Sequence, residues 1–500
     1  MCYNKAMEPE QRARRAKRRV IISEAIMLVA VIATVAILAF LVSGYWVGSD
    51  FKVERQGLLQ ISSIPTGADV EIDGELGGFF QRTNTSKVLS AGEHNIKLTK
   101  EGYDSWARTI NVAEGLLYRI HYPRLFLEKR DKTSVFTATT ATFATVSPSR
   151  AQMLLASTTT TWTLLNLEND KLDPRTIELP ADFPFTSRTT ADATSPGIFS
   201  GEIKSAEWAY DNEHLLLELA DATTTKWVLI NVRDPKATVD LTATFNANFS
   251  VVKIADHSAS NLLAVKDGNL HRIDLSSRQL SAVLVADVAD FDYYDSTIIF
   301  SAKSSATPAD SATSTDPSIA SGDSSQDSPA TAYYVGLTSL SDSKITSVRS
   351  IDTPALVAIS KFYDDEYLTI VTGNSLAILK KTDFSVFLEQ TIDTTPQSLK
   401  VGKDGSFVAL KDDKGHITVV DMEARAVLTW SPVSNHFGWL DGYMVYAVDD
   451  NSLLHVYDFD GENHRTLSSG VSSRFPVTIS ADKWLYYFKD GDLIRETIAK

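Results

Sequence analysis

The sequence predicts an all-β ectodomain carried behind one N-terminal transmembrane α-helix. Three features predict it. A basic tail runs directly into a long uncharged apolar stretch. Beyond that stretch no helical period is sustained. Short apolar strands, punctuated by Gly, Asp and Asn turns, fill the rest of the chain.

Residues 1–19 form the basic cytoplasmic tail. Lys5, Arg12, Arg14, Arg15, Lys17, Arg18 and Arg19 stand there against Glu8 and Glu10. Residues 20–45 form the membrane span. From Ala25 to Val42 there is no charge, and Thr34 is the only polar side chain. A hydrocarbon layer ~30 Å thick needs ~20 helical residues. Lipid cannot bond peptide groups, so a lone span has to be helical. Tyr45 and Trp46 fall at the far boundary, where amphipathic rings favour the interface. A basic flank stays in the cytoplasm, which puts the C-terminal bulk outside. A cleaved signal peptide is the rival reading. Its apolar region is shorter, ~7–15 residues, and Ser43-Gly44-Tyr45-Trp46 is a poor cleavage context. No cysteine follows the run, which argues against a lipoprotein anchor. A buried core helix is the other rival, and such a helix is seldom apolar on every face beside six basic residues.

Composition narrows the rest. A chain of 500 residues with 43% hydrophobic and 22% charged residues fits several folded domains. The one cysteine, Cys2, excludes a disulfide scaffold and a Cys-rich zinc site. The net charge is −15 despite the basic tail, so the body is strongly acidic and would repel phosphates. Nucleic acid is therefore not an expected partner.

The first outer domain spans 57–128. Leu58-Leu59-Gln60-Ile61-Ser62 and Asp69-Val70-Glu71-Ile72 alternate as half-buried strands do. Asp73-Gly74 supplies a tight hairpin turn. Gly92-Glu93-His94-Asn95-Ile96-Lys97-Leu98 and Arg108-Thr109-Ile110-Asn111-Val112 are two further strands. The run Ser63-Ile64-Pro65-Thr66-Gly67-Ala68-Asp69-Val70-Glu71-Ile72-Asp73-Gly74 resembles the opening of a PEGA domain. Leu89 to Leu98, then Gly102-Tyr103 and Trp106, resembles its second block. The usual Gly-x-Thr-Pro after the Asp-Gly turn is missing, since Leu76 to Thr83 has no proline. The resemblance implies a small β-sandwich of prokaryotic surface and envelope proteins, not known for catalysis. His94 invites a metal reading, but no second ligand stands at a useful spacing. Tyr103 and Trp106 could stack on a sugar, and core packing is the plainer use.

Residues 132–500 repeat one unit: an apolar strand, a polar turn, a second strand. Met153 to Ala156 leads to Trp162 to Leu167, and His214 to Leu219 leads to Lys226 to Val232. The pattern recurs at 262–275, 367–379, 407–420, 443–457 and 484–494. Turn centres near 374, 414, 451 and 491 are about 40 residues apart, the period of a β-propeller blade. Each small sheet has two apolar faces, and radial stacking buries both. Counting an interrupted unit near 291–338, the expectation is a seven- or eight-bladed β-propeller. Two stacked β-sandwiches are the alternative. The units resemble TolB and WD40-like propellers, with Trp208-Ala209-Tyr210-Asp211 and Ser147-Pro148-Ser149 echoing the Trp-Ser-Pro-Asp-Gly signal. Residues 304–331, rich in Ser, Ala, Thr, Asp and Pro, read as a disordered insertion between two strands of one blade.

No catalytic constellation stands out, and no catalytic, cofactor-binding or metal-ligating residue is assigned. His-Glu-x-x-His, Gly-x-Ser-x-Gly, a P-loop and a dinucleotide fingerprint are all missing. Asp458-Phe459-Asp460-Gly461-Glu462-Asn463 resembles a calcium loop, but its Gly is fourth rather than sixth and Ser469 stands where a bidentate Glu should. Asp449, Asp450 and Asn451 read the same way, as a hairpin turn. The favoured function is a non-catalytic envelope protein without a cofactor. Its partners would be the lipid bilayer, through 20–45, and an envelope protein, peptide or wall polymer on the propeller. The alternative is an extracytoplasmic glycan- or peptide-acting enzyme with its site in the propeller channel. That needs acids or histidines converging from several blades, and His257, His271, His416 and His436 are scattered.

Overall fold

The computed structural model describes residues 22–36, 45–47, 53–76, 82–157, 160–180, 183, 202–221, 224–304, 333–341 and 344–500. The described residues outside 22–36 are almost wholly strand and turn, as an all-β reading requires. The chain divides into two units, Met1–Glu101 with Ser105–Leu125, and Gly102–Asp104 with Phe126–Lys500.

Backbone of the expected span is helical over 22–36. Ile22, Ile26, Met27, Leu28, Val29, Val31, Ile32 and Val35 are all exposed, so this helix shows apolar side chains on every face. At ~1.5 Å per residue it is about 22 Å long. Among the described residues no helix is long and apolar enough to cross a membrane. Residues 20, 21 and 37–44 of the expected span lie outside the described residues. Tyr45 was expected at the helix end. It lies instead in the strand Tyr45–Val47, opposite Arg55 of Val53–Ile61, because a ladder bonds its peptide groups there.

The first unit holds two four-stranded sheets. In one, Val53–Ile61 pairs antiparallel with Thr85–Ser90 and Tyr45–Val47, and parallel with Leu117–Ile120. The other runs in the order Glu75–Leu76, Asp69–Ile72, Gly92–Thr99, Trp106–Val112. Trp106, Arg108, Ile110 and Val112 alternate buried with exposed neighbours, the signature of a one-faced sheet. The two sheets approach closely at Gly57, where an added Cβ would fall 2.3 Å from Val112 Cγ1. Asp73 and Gly74 both have positive φ, which is the I′ hairpin turn that their sequence requires.

Among its described residues the second unit contains eight four-stranded antiparallel sheets. We number them blades 1 to 8, at 143–178, 202–240, 251–280, 288–351, 356–391, 396–430, 437–469 and 478–497. The hairpins seen in the sequence are the second and third strands of these blades. Their unbroken apolar runs follow from sharing alternate side chains between two neighbours. Leu215, Leu217 and Leu219 pack on blade 1, while Leu216 packs on blade 3. Ile298 and Phe300 pack on blade 3, and Ile299 on blade 5. Blades 5 and 6, and 7 and 8, share cores in the same way. Between blades 6 and 7, Phe407 stacks on Trp439 and Phe459.

The ring closes. Met153 and Leu155 of blade 1 share a core with Trp484, Tyr486 and Phe488 of blade 8. Blade 8 takes its outer strand from Lys132–Thr137, which pairs with Asp492–Thr497. In blade 4, Lys303 pairs with Tyr333, so residues 305–332 connect two adjacent strands. The sequence-predicted insertion, 304–331, lies outside the described residues except for Ser304.

An ion-pair network sits at the closure. Glu496 is fully buried and its Oε1 accepts from Arg130 Nε at 2.7 Å. Lys132 Nζ lies 3.4 Å from Oε2, and Tyr487 Oη donates to the same oxygen at 3.1 Å. Arg130 also donates to the carbonyls of Leu127 and Leu467. Removing one partner strands the other charge out of water. Arg130→Ala is expected to cost about 3–5 kcal/mol, whereas the paired change Arg130→Met with Glu496→Leu recovers most of that loss. Urea unfolding followed by tryptophan fluorescence measures both.

Candidate functional site

The first strands of blades 2 and 3, of blades 4 and 5, and of blades 5 and 6 lie side by side, as the inner strands of a propeller do. Each has a sheet neighbour on one edge only, which leaves its other backbone edge unpaired. In blades 3 and 5, carboxylates from the preceding blade fill that edge. Asp290 and Asp292, in Val288–Tyr294 of blade 4, accept from Val357 N at 2.9 Å and Ile359 N at 3.0 Å of blade 5. Glu207 of blade 2 has both oxygens 3.3 Å from Ile254 N of blade 3. Lys253 of blade 3 donates to Phe291 O of blade 4 and lies 4.7 Å from the Phe291 ring centre.

Confinement in the rim shifts these groups. Burial holds Asp290 and Asp292 above the ordinary carboxylate range, and the positive charge of Lys253 offsets part of this. Glu207 is exposed on its strand, yet desolvation by the surrounding protein pushes it up to about 7, with the Ile254 amide and Lys253 pulling the other way and Asp292 adding to the rise. Tyr210 is 75% exposed in the turn after Trp208, and its ring stacks on His257 with centroids 6.3 Å apart. Partial burial, then the charges of Asp292 and Glu207, raise its phenol.

Blade 6 contributes Lys400, in Pro396–Val401. Leu399 beside it packs into the core shared with blade 5, so the alternation of the strand turns Lys400 toward blade 7. Its ammonium lies 5.4 Å from the centre of the Trp439 ring. Lys400 is open to water, yet burial lowers its pKa to about 8.

The residues that the sequence singled out do not gather at this rim. Nδ1 of His94 is 2.7 Å from Asp73 Oδ2, and Nε2 is 2.9 Å from Ser90 O, which ties the Asp73-Gly74 hairpin to its neighbouring strand. The Asp73 carboxyl is held low mainly by that bond to His94. Trp106 is fully buried in the core; Tyr103 Oη accepts from Lys500 N at 3.1 Å. His271 bonds the Ser281 carbonyl at 2.9 Å, His416 bonds Asp412 at 2.6 Å, and His436 lies ahead of blade 7. Asp449 accepts from Asn451 N and Leu453 N. Asp458 accepts from Asn463 Nδ2 at 2.9 Å, and Asp460 from Glu462 N at 3.1 Å. These carboxylates close turns. Among the described residues no three His, Cys, Asp or Glu side chains are placed to hold a metal ion. Sequence reasoning missed Glu207, Asp290, Asp292 and Lys400. The available signal was a charged residue inside the short strand just before each long apolar one.

The crystal structure of the C-terminal WD40 domain of Sif2 is similar over 74% of this chain and 98% of its own, at 10% identity and a TM-score of 0.45. The Myceliophteria thermophila Cps50 (Swd1) β-propeller domain matches over 74% of this chain and 100% of its own, at 13% identity and a TM-score of 0.39. Porphyromonas gingivalis dipeptidyl peptidase 4 matches over 71% of this chain and 56% of its own, at 13% identity and a TM-score of 0.45. No curated protein sequence matches the chain. Residues 56–124 match the PEGA domain family, so the chain carries a PEGA domain, and the eight-sheet unit follows it in the sequence.

Proposed function

We propose that this is a non-catalytic, membrane-anchored protein of the cell envelope, with the propeller as a binding platform. Residues 20–45 would hold it in the bilayer, with the basic tail 1–19 in the cytoplasm and the β-rich bulk outside. The uncharged run and the apolar faces of helix 22–36 support that anchor. The PEGA-like module would serve as a spacer or wall-facing contact. The platform's partner would be an envelope protein, a peptide or a wall polymer, and not nucleic acid.

One observation carries the platform reading. The rim carboxylates that could serve acid–base chemistry already accept from backbone amides of the next blade. Their hydrogen bonds hold blades together, whereas a catalytic acid needs a free approach to its substrate. Incubating the full chain, extracted in detergent, with envelope fractions should recover a protein or polymer. Recovery of nothing would count against the platform. Protease added to intact cells should remove the acidic bulk, and protection of that bulk would reverse the orientation.

Glu207 favours a second reading, an enzyme acting in the channel, because a carboxyl raised to about 7 suits a general acid. The same shift makes a stability prediction. A carboxyl raised in the folded state contributes most below its unfolded value near 4.5, and that contribution falls as pH rises toward 7. Glu207→Gln should therefore gain thermal stability relative to the parent across that interval, with a constant difference above it. A pH-independent difference in melting temperature would show that Glu207 ionises normally. Under the enzyme reading the same variant loses turnover of an envelope glycan or peptide; under the platform reading it still captures the partner.

A further inference from the structure

Blade 7 holds two imidazoles in direct contact. His455 lies in the third strand, Leu453–Asp458, and is buried; His464 immediately precedes the outer strand, Arg465–Ser469, and is exposed. Nδ1 of His455 is 3.0 Å from Nε2 of His464. The ring of His464 also stacks on Tyr457, with centroids 4.6 Å apart, and Tyr457 packs on Trp430 of blade 6. On the far side of His455, Nε2 lies 3.4 Å from Asp449 Oδ2 in the turn from second to third strand. Asp449 and Tyr457 are thus titratable groups that face the pair. The outer strand adds the Thr466 hydroxyl, 3.2 Å from Nδ1 of His455, while Arg465 lies over the Phe126 ring on the opposite face. A nitrogen lone pair beside a carboxylate is repelled, so Nε2 of His455 carries its proton toward Asp449. The contact between the two rings then holds a single proton. It forms when both rings are neutral, or when one is charged and donates to the other. Two imidazolium rings would set N–H against N–H and charge against charge, and the Asp449 carboxylate offsets only one of them.

We propose that His455 and His464 form a pH-sensitive latch on the outer strand of blade 7, closed while the two rings share at most one positive charge and open when both are protonated. The ring that leaves is His464, because it is exposed, whereas His455 is buried and faces Asp449. Crowding by protein, then the charge of His455, hold His464 below the ordinary imidazole range, which is the direction such a pair requires. The unfolded chain takes up the second proton more readily than the folded one. The latch therefore stabilises fully above the unfolded value of 6.5 and weakens as pH falls below it. The strand it frees is tied to ring closure. The Leu467 carbonyl accepts from Arg130, and Ser468 Oγ accepts from Lys132 Nζ at 2.8 Å and donates to Tyr487 Oη at 2.8 Å. Mild acid thus loosens the edge that the closure network grips. This goes beyond the platform reading and does not depend on what the propeller binds.

The test is hydrogen exchange of the full chain in detergent, read by mass spectrometry at pH values of about 7.5 and about 5.5 and corrected for the intrinsic effect of pH on exchange. Peptides covering 464–469 should exchange about threefold or more faster at the lower pH. The outer strand of blade 5, Val386–Thr391, should not change, and it reports any general loosening. His464→Gln keeps a donor for His455 but cannot become charged, so it should show no step. His464→Phe keeps the stack on Tyr457 without the bond. It should exchange faster than the parent at the higher pH, again with no step. A parent strand equally protected at both pH values overturns the proposal, and so does a step that survives in His464→Gln.

Discussion

The propeller depends on one antiparallel pairing, between Lys132–Thr137 and Asp492–Thr497. Every blade has two apolar faces, and a face is buried only when another blade covers it. In an open row the two end blades would each leave one face in water. Pairing the entering strand with the last long hairpin turns the row into a ring, and every face gains a partner. Glu496 shows how firmly the position is specified. A carboxylate without solvent contact survives only because Arg130, Lys132 and Tyr487 converge on it, and Arg130 at the same time holds the carbonyl of Leu467 in blade 7.

The acidic character of the body has a structural origin. Asp211 accepts from Glu213 N and His214 N, Asp412 from Lys414 N and His416 N, and Asp441 from Tyr443 N and Met444 N. Asp256, Asp274 and Asp421 close other turns in the same manner. An aspartate reaches its own backbone two to four residues on, so a fold built from many tight turns accumulates carboxylates. The rim applies the same chemistry between blades, where Glu207, Asp290 and Asp292 take edge amides that no strand pairs.

Much of the fold was legible because its central strands are buried on both sides. Leu215 to Leu219 is broken only by Glu218, and Trp484 to Phe488 carries no charge and ends at the Asp490-Gly491 turn. Inner and outer strands were illegible for the opposite reason. Phe437–Trp439 and Thr478–Ser480 are only three residues long, and Lys132–Thr137 reads as a polar linker until its partner is known. The echoes at Trp208-Ala209-Tyr210-Asp211 and Ser147-Pro148-Ser149 prove to be the turns from first to second strand in blades 2 and 1. The site was hardly legible at all. Histidines and Asp-Gly runs attract attention in a sequence, but here they are turn and hairpin fixtures. Glu207, Asp292 and Lys400 look like ordinary surface charges until the ring brings their strands together.

The strand Lys132–Thr137 is synthesised long before Asp492–Thr497, and it has nothing to join until that hairpin exists. The ring therefore cannot be completed while the ribosome is still making the final blade. A product that stops short of Asp492 would keep an unpaired edge on one side and a bare greasy face on the other, both of which invite aggregation and proteolysis. Closure thus joins two segments more than 350 residues apart in the chain, and neither can bury its edge without the other.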